Sequence, residues 1–262
     1  MQHNFELEGY ILGFGSSIKV LKPASLRRRI YEQMRDATEF YEKQLPTREL
    51  EASLLKLKWR GYAILENLYT AREVRRIQSL IWRSTTDEKR FSRNGQLFTV
   101  RSVLKEIPHL KPLLFNYNLC RLVSSFGSGY FLTKAIYFNK PPQSNWFMAW
   151  HQDVPVNVKE KIEAEGFHGW TNKNGLISVC PPVSYLQSAF TVRIHLDDTD
   201  VQNGALKVIP KAFTEVLTAE QIAEARENIE HKTCRVNQGG AQLMTRLRCM
   251  PPPEVKARST VE

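Results

Sequence analysis

The chain has 262 residues, of which 42% are hydrophobic, and this accommodates one substantial domain with an extension. No run approaches the roughly 20 uninterrupted apolar residues of a helical membrane span. The polar start of the chain, with Glu6 and Glu8, lacks a signal-peptide layout, so the protein is read as soluble and cytoplasmic.

The net charge is +10, but the basic residues are scattered, as at Arg27–Arg29, Arg72, Arg75, Arg76, Lys89 and Arg90. They form no aromatic-interleaved stripe, so nucleic acid is not expected as a partner. Cys120, Cys180, Cys234 and Cys249 are far apart without a CxxC pair, which argues against a zinc site or a disulfide framework.

In chain order, Leu26, Ile30, Met34, Ala37 and Tyr41 recur at helical spacing, which predicts a helix over residues 25–45 that ends before Pro46. Arg27–Arg29 lie on its polar face, either as a solvated surface or as a binding patch. "KWRGYAILEN", residues 58–67, reads as a strand. Thr70 and Glu73 then fit a capping box, and Val74, Ile77, Leu80 and Ile81 supply the apolar stripe of the helix it opens. A second capped start falls at Thr218–Gln221.

From about Tyr130 short β-rich runs follow one another: residues 130–138, 146–150, 176–179, 190–196, 205–209 and 241–244. Turn residues such as Pro141-Pro142, Asn174-Gly175, Pro181-Pro182 and Asn203-Gly204 separate them. Many short strands with this spacing predict a mainly β core with flanking helices, arranged as a sandwich or jelly-roll barrel.

The stretch richest in chemistry is "NWFMAWHQDVPV". His151 and Asp153 are two residues apart and share a face if the segment is extended. An imidazole and a carboxylate so placed can hold two positions on one metal ion. The arrangement of two histidines and one carboxylate binds Fe(II) on one face and leaves the other open. A third ligand must come from a later strand.

In residues 190–197, Thr191, Arg193, His195 and Asp197 alternate with apolar residues. That face is either a polar barrel lumen or the outer surface. His195 fits a structural role better than a ligand role.

Three stretches carry a resemblance to a known family. "IYFNKPPQSNWFMAWHQD" resembles the strand, Pro-Pro loop and HxD segment of the phytanoyl-CoA dioxygenase family. "FTVRIHLDDTDVQNGALKVIPKAF" resembles its later strand, acidic turn and Asn-Gly element, and "GYAILENLYTAREVRRI" its N-terminal strand and helix. The resemblance spans residues 57–244.

It implies an Fe(II)- and 2-oxoglutarate-dependent oxygenase acting on a small-molecule substrate, built on a double-stranded β-helix over residues 51–262 after a helical extension over residues 1–50. It further implies that His151 and Asp153 are iron ligands. Arg101 would approach 2-oxoglutarate, and Ile136 and Arg193 would line the co-substrate pocket.

The same resemblance exposes departures. Lys211 stands at the glycine that follows Pro210 in the family, and no histidine closes that element. Aligned on Gly239 and Gly240, Met250 falls on the distal iron-binding histidine, Pro252 on a co-substrate serine and Val261 on a co-substrate arginine. A thioether is a poor ligand for this hard site, so two ligands alone hold Fe(II) weakly. The last barrel strand is missing from this pattern, and the chain reads as inactive or poorly folded at its C-terminus.

The codons from Arg246 onward permit another reading. Shifted to the third base of the Arg246 codon, the junction of Cys249 and Met250 must encode His or Tyr, and the next codon must encode Ala. The shifted frame can therefore spell the missing histidine motif.

Overall fold

The computed structural model describes residues 5–42, 44–85, 92–93, 96–97, 99–139, 150–173, 175–201, 204–248 and 250. Two compact units divide the chain at residues 44 and 45. In the first, α1 (Phe5–Gly13) and α2 (Ala24–Glu42) enclose a small core of Ile11, Leu26 and Ile30. Within it Glu8, nearly buried, accepts from the Arg29 guanidinium at 2.6 Å and from Gln33 at 3.1 Å.

The second unit opens with α3 (Thr47–Arg60), β1 (Tyr62–Leu65) and α4 (Ala71–Thr85). Short hairpin strands β2 (Ser92–Arg93) and β3 (Gln96–Leu97) precede β4 (Thr99–Arg101). Then come α5 (Val103–Glu106), α6 (Lys111–Leu114), α7 (Tyr117–Ser124) and β5 (Ile136–Phe138). The C-terminal half holds β6 (Val156–Val158), β7 (His168–Lys173), β8 (Leu176–Cys180) and α8 (Val183–Ser188). It continues with β9 (Phe190–Ile194), β10 (Leu206–Val208), α9 (Ala219–Asn228), β11 (Lys232–Cys234) and β12 (Ala241–Thr245). Among the described residues every strand pair is antiparallel.

β12 is the centre of the unit. It lies between β1 and β9, with Leu243 opposite Ala63 on one side and Val192 on the other. Alternation then sorts the side chains onto two faces. Ala241 and Leu243 join Ala63 and Leu65 in a large core with Leu57 of α3 and Val74, Ile77 and Ile81 of α4. Met244 points the other way, into a second core with Leu206 and Val208 of β10 and Cys234 of β11, against which Tyr62, Ile64 and Met250 pack.

The capping box at Thr70 forms: Thr70 N–H donates to the Glu73 carboxylate at 2.7 Å, and the Thr70 hydroxyl accepts from Glu73 N–H at 3.2 Å. Thr218 and Gln221 make the equivalent pair at the start of α9.

Several expected boundaries move. The strand expected over residues 58–67 is helical until Arg60, because α3 buries Leu50, Ser53 and Leu57 before Gly61 ends it in a left-handed conformation, φ 68°. In the run 130–138 only residues 136–138 pair as a strand. Residues 146–149 and the tail after Met250 lie outside the described residues, as do Cys249, Asn174 and Asn203. Of the C-terminus expected to fold poorly, residues 246–248 are packed in the interior.

Arg248 is fully buried and donates to four carbonyls: Gly61 at 2.7 Å, Lys211 at 3.0 Å, and those of Arg60 and Ile209. Its guanidinium also lies 5.1 Å from the Tyr62 ring centroid. A buried cation needs this full set of acceptors. In return it ties the end of α3, the start of β1 and residues 209–211 to the C-terminal side of β12. A Cβ at Gly61 would lie 2.0 Å from Arg248 Nη2. Gly61→Ala is therefore expected to destabilise the unit by roughly 2–4 kcal/mol through clash and strained φ, read as a lower urea midpoint.

Candidate functional site

The HxD segment is pinned from both sides. His151 N–H donates to the Met250 carbonyl and Met250 N–H to the His151 carbonyl, both at 3.0 Å, so the two residues face each other as an antiparallel bridge. Gln152 is nearly buried. Its amide nitrogen donates to the Leu247 carbonyl and to the Glu215 carbonyl at 3.1 Å, while its oxygen accepts from Leu217 N–H at 2.7 Å. With Gln152 spent on the frame, alternation leaves His151 and Asp153 on the opposite side.

Both oxygens of Asp153 are occupied. Oδ2 accepts from Arg246 Nη1 at 2.8 Å, and Oδ1 lies 3.4 Å from Lys134 Nζ. Arg246 is 6% exposed, and its Nη2 donates to the Pro155 carbonyl at 2.7 Å, with Val154 at 3.5 Å. Its buried Nε has no partner.

A second polar group lies on the β9–β12 wall. Gln242 is directly across from Arg193, on the same strand face as Met244. Gln242 is fully buried, and neither amide atom has a hydrogen-bond partner. His195 accepts or donates at Nδ1 with the Thr199 hydroxyl at 2.6 Å, while its buried Nε2 has no partner. Burial, then the charge of Arg193, push the His195 pKa down to about 3, so the imidazole is neutral.

The guanidinium of Arg193 is itself held below the usual arginine range, chiefly by desolvation. Arg193 is half-buried within β9. Burial pushes the Cys234 thiol up to about 12, so it is not a nucleophile at neutral pH.

The residues expected from the sequence thus fall into three groups. His151 and Asp153 sit together, facing Met250. Arg193 is with Gln242 and His195. Arg101 and Ile136 are cross-strand partners in β4 and β5, Arg101 exposed and Ile136 half-buried. Lys134, two residues before Ile136, reaches Asp153, which links this pair to the HxD segment.

The sequence reading missed Lys134, Gln152, Gln242 and Arg246. No spacing marks them, because their partners lie from 19 to 95 residues away. Among the described residues no group of three or more His, Cys, Asp or Glu converges to hold a metal ion. His151 and Asp153 fit two positions of an Fe(II) centre, and Met250 does not fit the third.

Several solved structures are similar to this chain in fold. AviO1 from Streptomyces viridochromogenes Tue57 is 20% identical, with a TM-score of 0.55 over 81% of this chain and 91% of that one. EctD from S. alaskensis, solved with 2-oxoglutarate and 5-hydroxyectoine, is 16% identical, TM-score 0.58, covering 81% and 72%. HygX from Streptomyces hygroscopicus, solved with nickel and 2-oxoglutarate, is 13% identical, TM-score 0.56, covering 81% and 82%.

The family model for phytanoyl-CoA dioxygenase (PhyH) matches residues 58–212, more than half of the chain, and the protein belongs to that family. A WCX domain model matches residues 1–38. No curated protein matches the chain in sequence.

A His195 pKa of about 3 against an ordinary 6.5 carries a sign for stability. The unfolded chain takes up this proton below pH 6.5 and the folded chain does not until about pH 3. The contribution is therefore fully present above 6.5 and is lost on acidification through that window, at about 1.4 kcal/mol per pH unit at most. The His195 ring resonances should not titrate between pH 5 and 8 in an NMR series, and His195→Gln should flatten the acid decline in stability.

Proposed function

We propose that the chain is a small-molecule-handling member of the Fe(II)/2-oxoglutarate oxygenase family, with a double-stranded β-helix domain over residues 51–262 preceded by a helical extension. 2-Oxoglutarate and a small organic substrate occupy the lumen, and His151 and Asp153 recruit Fe(II) weakly. When bound, Fe(II), 2-oxoglutarate and O2 supply an oxidant that hydroxylates an unactivated C–H bond, with succinate and CO2 as co-products.

The observation that carries this reading is the His151–Met250 bridge, which sets the HxD segment against the chain that leads out of β12, with a methionine across from the HxD histidine. The chain's own groups have definable roles. Arg193 offers a guanidinium to a carboxylate, and Gln242 offers an amide with both atoms free for a ligand. Neutral His195 adds one hydrogen-bonding nitrogen without charge. Arg101 and Ile136 flank the approach beside Lys134. Buried polar atoms without protein partners are costly unless a ligand or water satisfies them, which favours a polar occupant here.

The engagement of Asp153 by Arg246 favours a second reading, a family member that binds but does not turn over. Hydroxylation by this exact chain is expected to be absent or far below that of a three-ligand site. No helix among the described residues is long and apolar enough to cross a membrane.

Calorimetric titration with 2-oxoglutarate should show binding that Arg193→Met weakens about 10- to 100-fold, while succinate release with Fe(II) present stays at background. A wild-type chain that shows no 2-oxoglutarate binding, with or without a divalent metal ion, sinks the lumen assignment. Independently, reading the encoding DNA across codons 240–262 tests the origin of Met250. A His-Ala-Ser reading in the shifted frame marks a lost third ligand; Tyr-Ala or an early stop marks a native tail.

A further inference from the structure

The clamp on Asp153 has a chemistry of its own. A divalent cation bound by His151 and Asp153 needs that carboxylate, yet its two oxygens already face Arg246 and Lys134. Arg246 is not a mobile surface arm. Its Nη2 is tied to the Pro155 carbonyl, its backbone N–H donates to the Ala189 carbonyl at 3.3 Å, and its side chain is almost entirely out of water. Such a guanidinium meets the carboxylate with little further loss of freedom, which strengthens the contact.

We infer that Arg246, assisted by Lys134, acts as an internal cation at the metal position and competes with a divalent metal ion for Asp153. The inference rests on the oxygenase-family reading for the identity of the metal site, and on this chain's own contacts for the competition.

Three constraints support it. Metal entry with Arg246 in place puts a double positive charge beside two single ones around one carboxylate, and close charges of like sign repel strongly in a buried site. Departure of Arg246 strands a buried guanidinium whose Nε already lacks a partner, and an uncompensated buried charge is strongly unfavourable. Met250, opposite His151, adds no hard ligand to tip the balance toward the metal. Lys134 is the weaker competitor, at 3.4 Å and with a quarter of its side chain exposed.

The test is calorimetric titration of the full chain with Co(II) alone, without 2-oxoglutarate or turnover. Arg246→Gln should tighten Co(II) about 10- to 100-fold, the effect of removing one charge-assisted competitor. Lys134→Gln should change it by no more than about threefold. Asp153→Asn in the Arg246→Gln background should return binding to the wild-type level or below.

An Arg246→Gln protein that keeps its unfolding midpoint and binds Co(II) no better than wild type overturns the inference. Should Arg246→Gln fail to fold, Met250→His decides. With Arg246 still present, Co(II) affinity should stay within about tenfold of wild type, because a new ligand does not free Asp153. A gain of a hundredfold or more in that variant overturns it. Because the readout is metal affinity alone, a failure of 2-oxoglutarate binding leaves this comparison intact.

Discussion

Five residues, Ala241–Thr245, carry the architecture of the larger unit. β12 is hydrogen-bonded on both edges, to β1 and β9, and is buried on both faces. One face closes the core formed with α3 and α4; the other lines the space shared with β10, β11 and Met250. The turn that launches it is equally constrained. Gly239, at φ 82°, passes so close to the Tyr69 carbonyl that a Cβ would lie 2.4 Å from it. Gly239 N–H meanwhile donates to the His195 carbonyl, and its own carbonyl accepts from Tyr69 N–H. A shift of β12 by one residue would exchange its two faces and move Gln242 off the face it shares with Met244.

Three arginines are drawn into the interior around this strand, and each is accommodated differently. Arg248 is surrounded by backbone carbonyls and serves as a structural tie. Arg246 is paired with the carboxylate of Asp153. Arg193 lies across from Gln242, whose amide atoms have no partner, and its charge acts on His195, whose Nε2 has none. The distinction lies in what surrounds each guanidinium, since all three are permanently charged.

The match to the phytanoyl-CoA dioxygenase family coexists with a methionine directly across from the HxD histidine. Gln152 fixes the HxD segment against residues 215–217 and 247, and the bridge to residue 250 forms through backbone groups alone. Backbone pairing tolerates any side chain at residue 250, whereas metal coordination does not.

The sequence by itself determined the family, the HxD pair and both capping boxes. It also marked the strands of residues 176–179, 190–196, 205–209 and 241–244, because each is written in local spacing or alternation. Alignment on Gly239 and Gly240 put Met250 at the place of the family's distal histidine, while its bridge to His151 emerges only in the fold. Tertiary structure decided the rest. The segment 58–60 became helix because burial of Leu57 and the left-handed Gly61 set the boundary later than strand-like composition suggested. Lys134, Arg246 and Gln242 acquired roles only when distant strands met. A pairing across 93 residues, such as Arg246 with Asp153, leaves no periodic trace in the chain, because the charge of a partner is felt only after folding has brought it within a few ångströms.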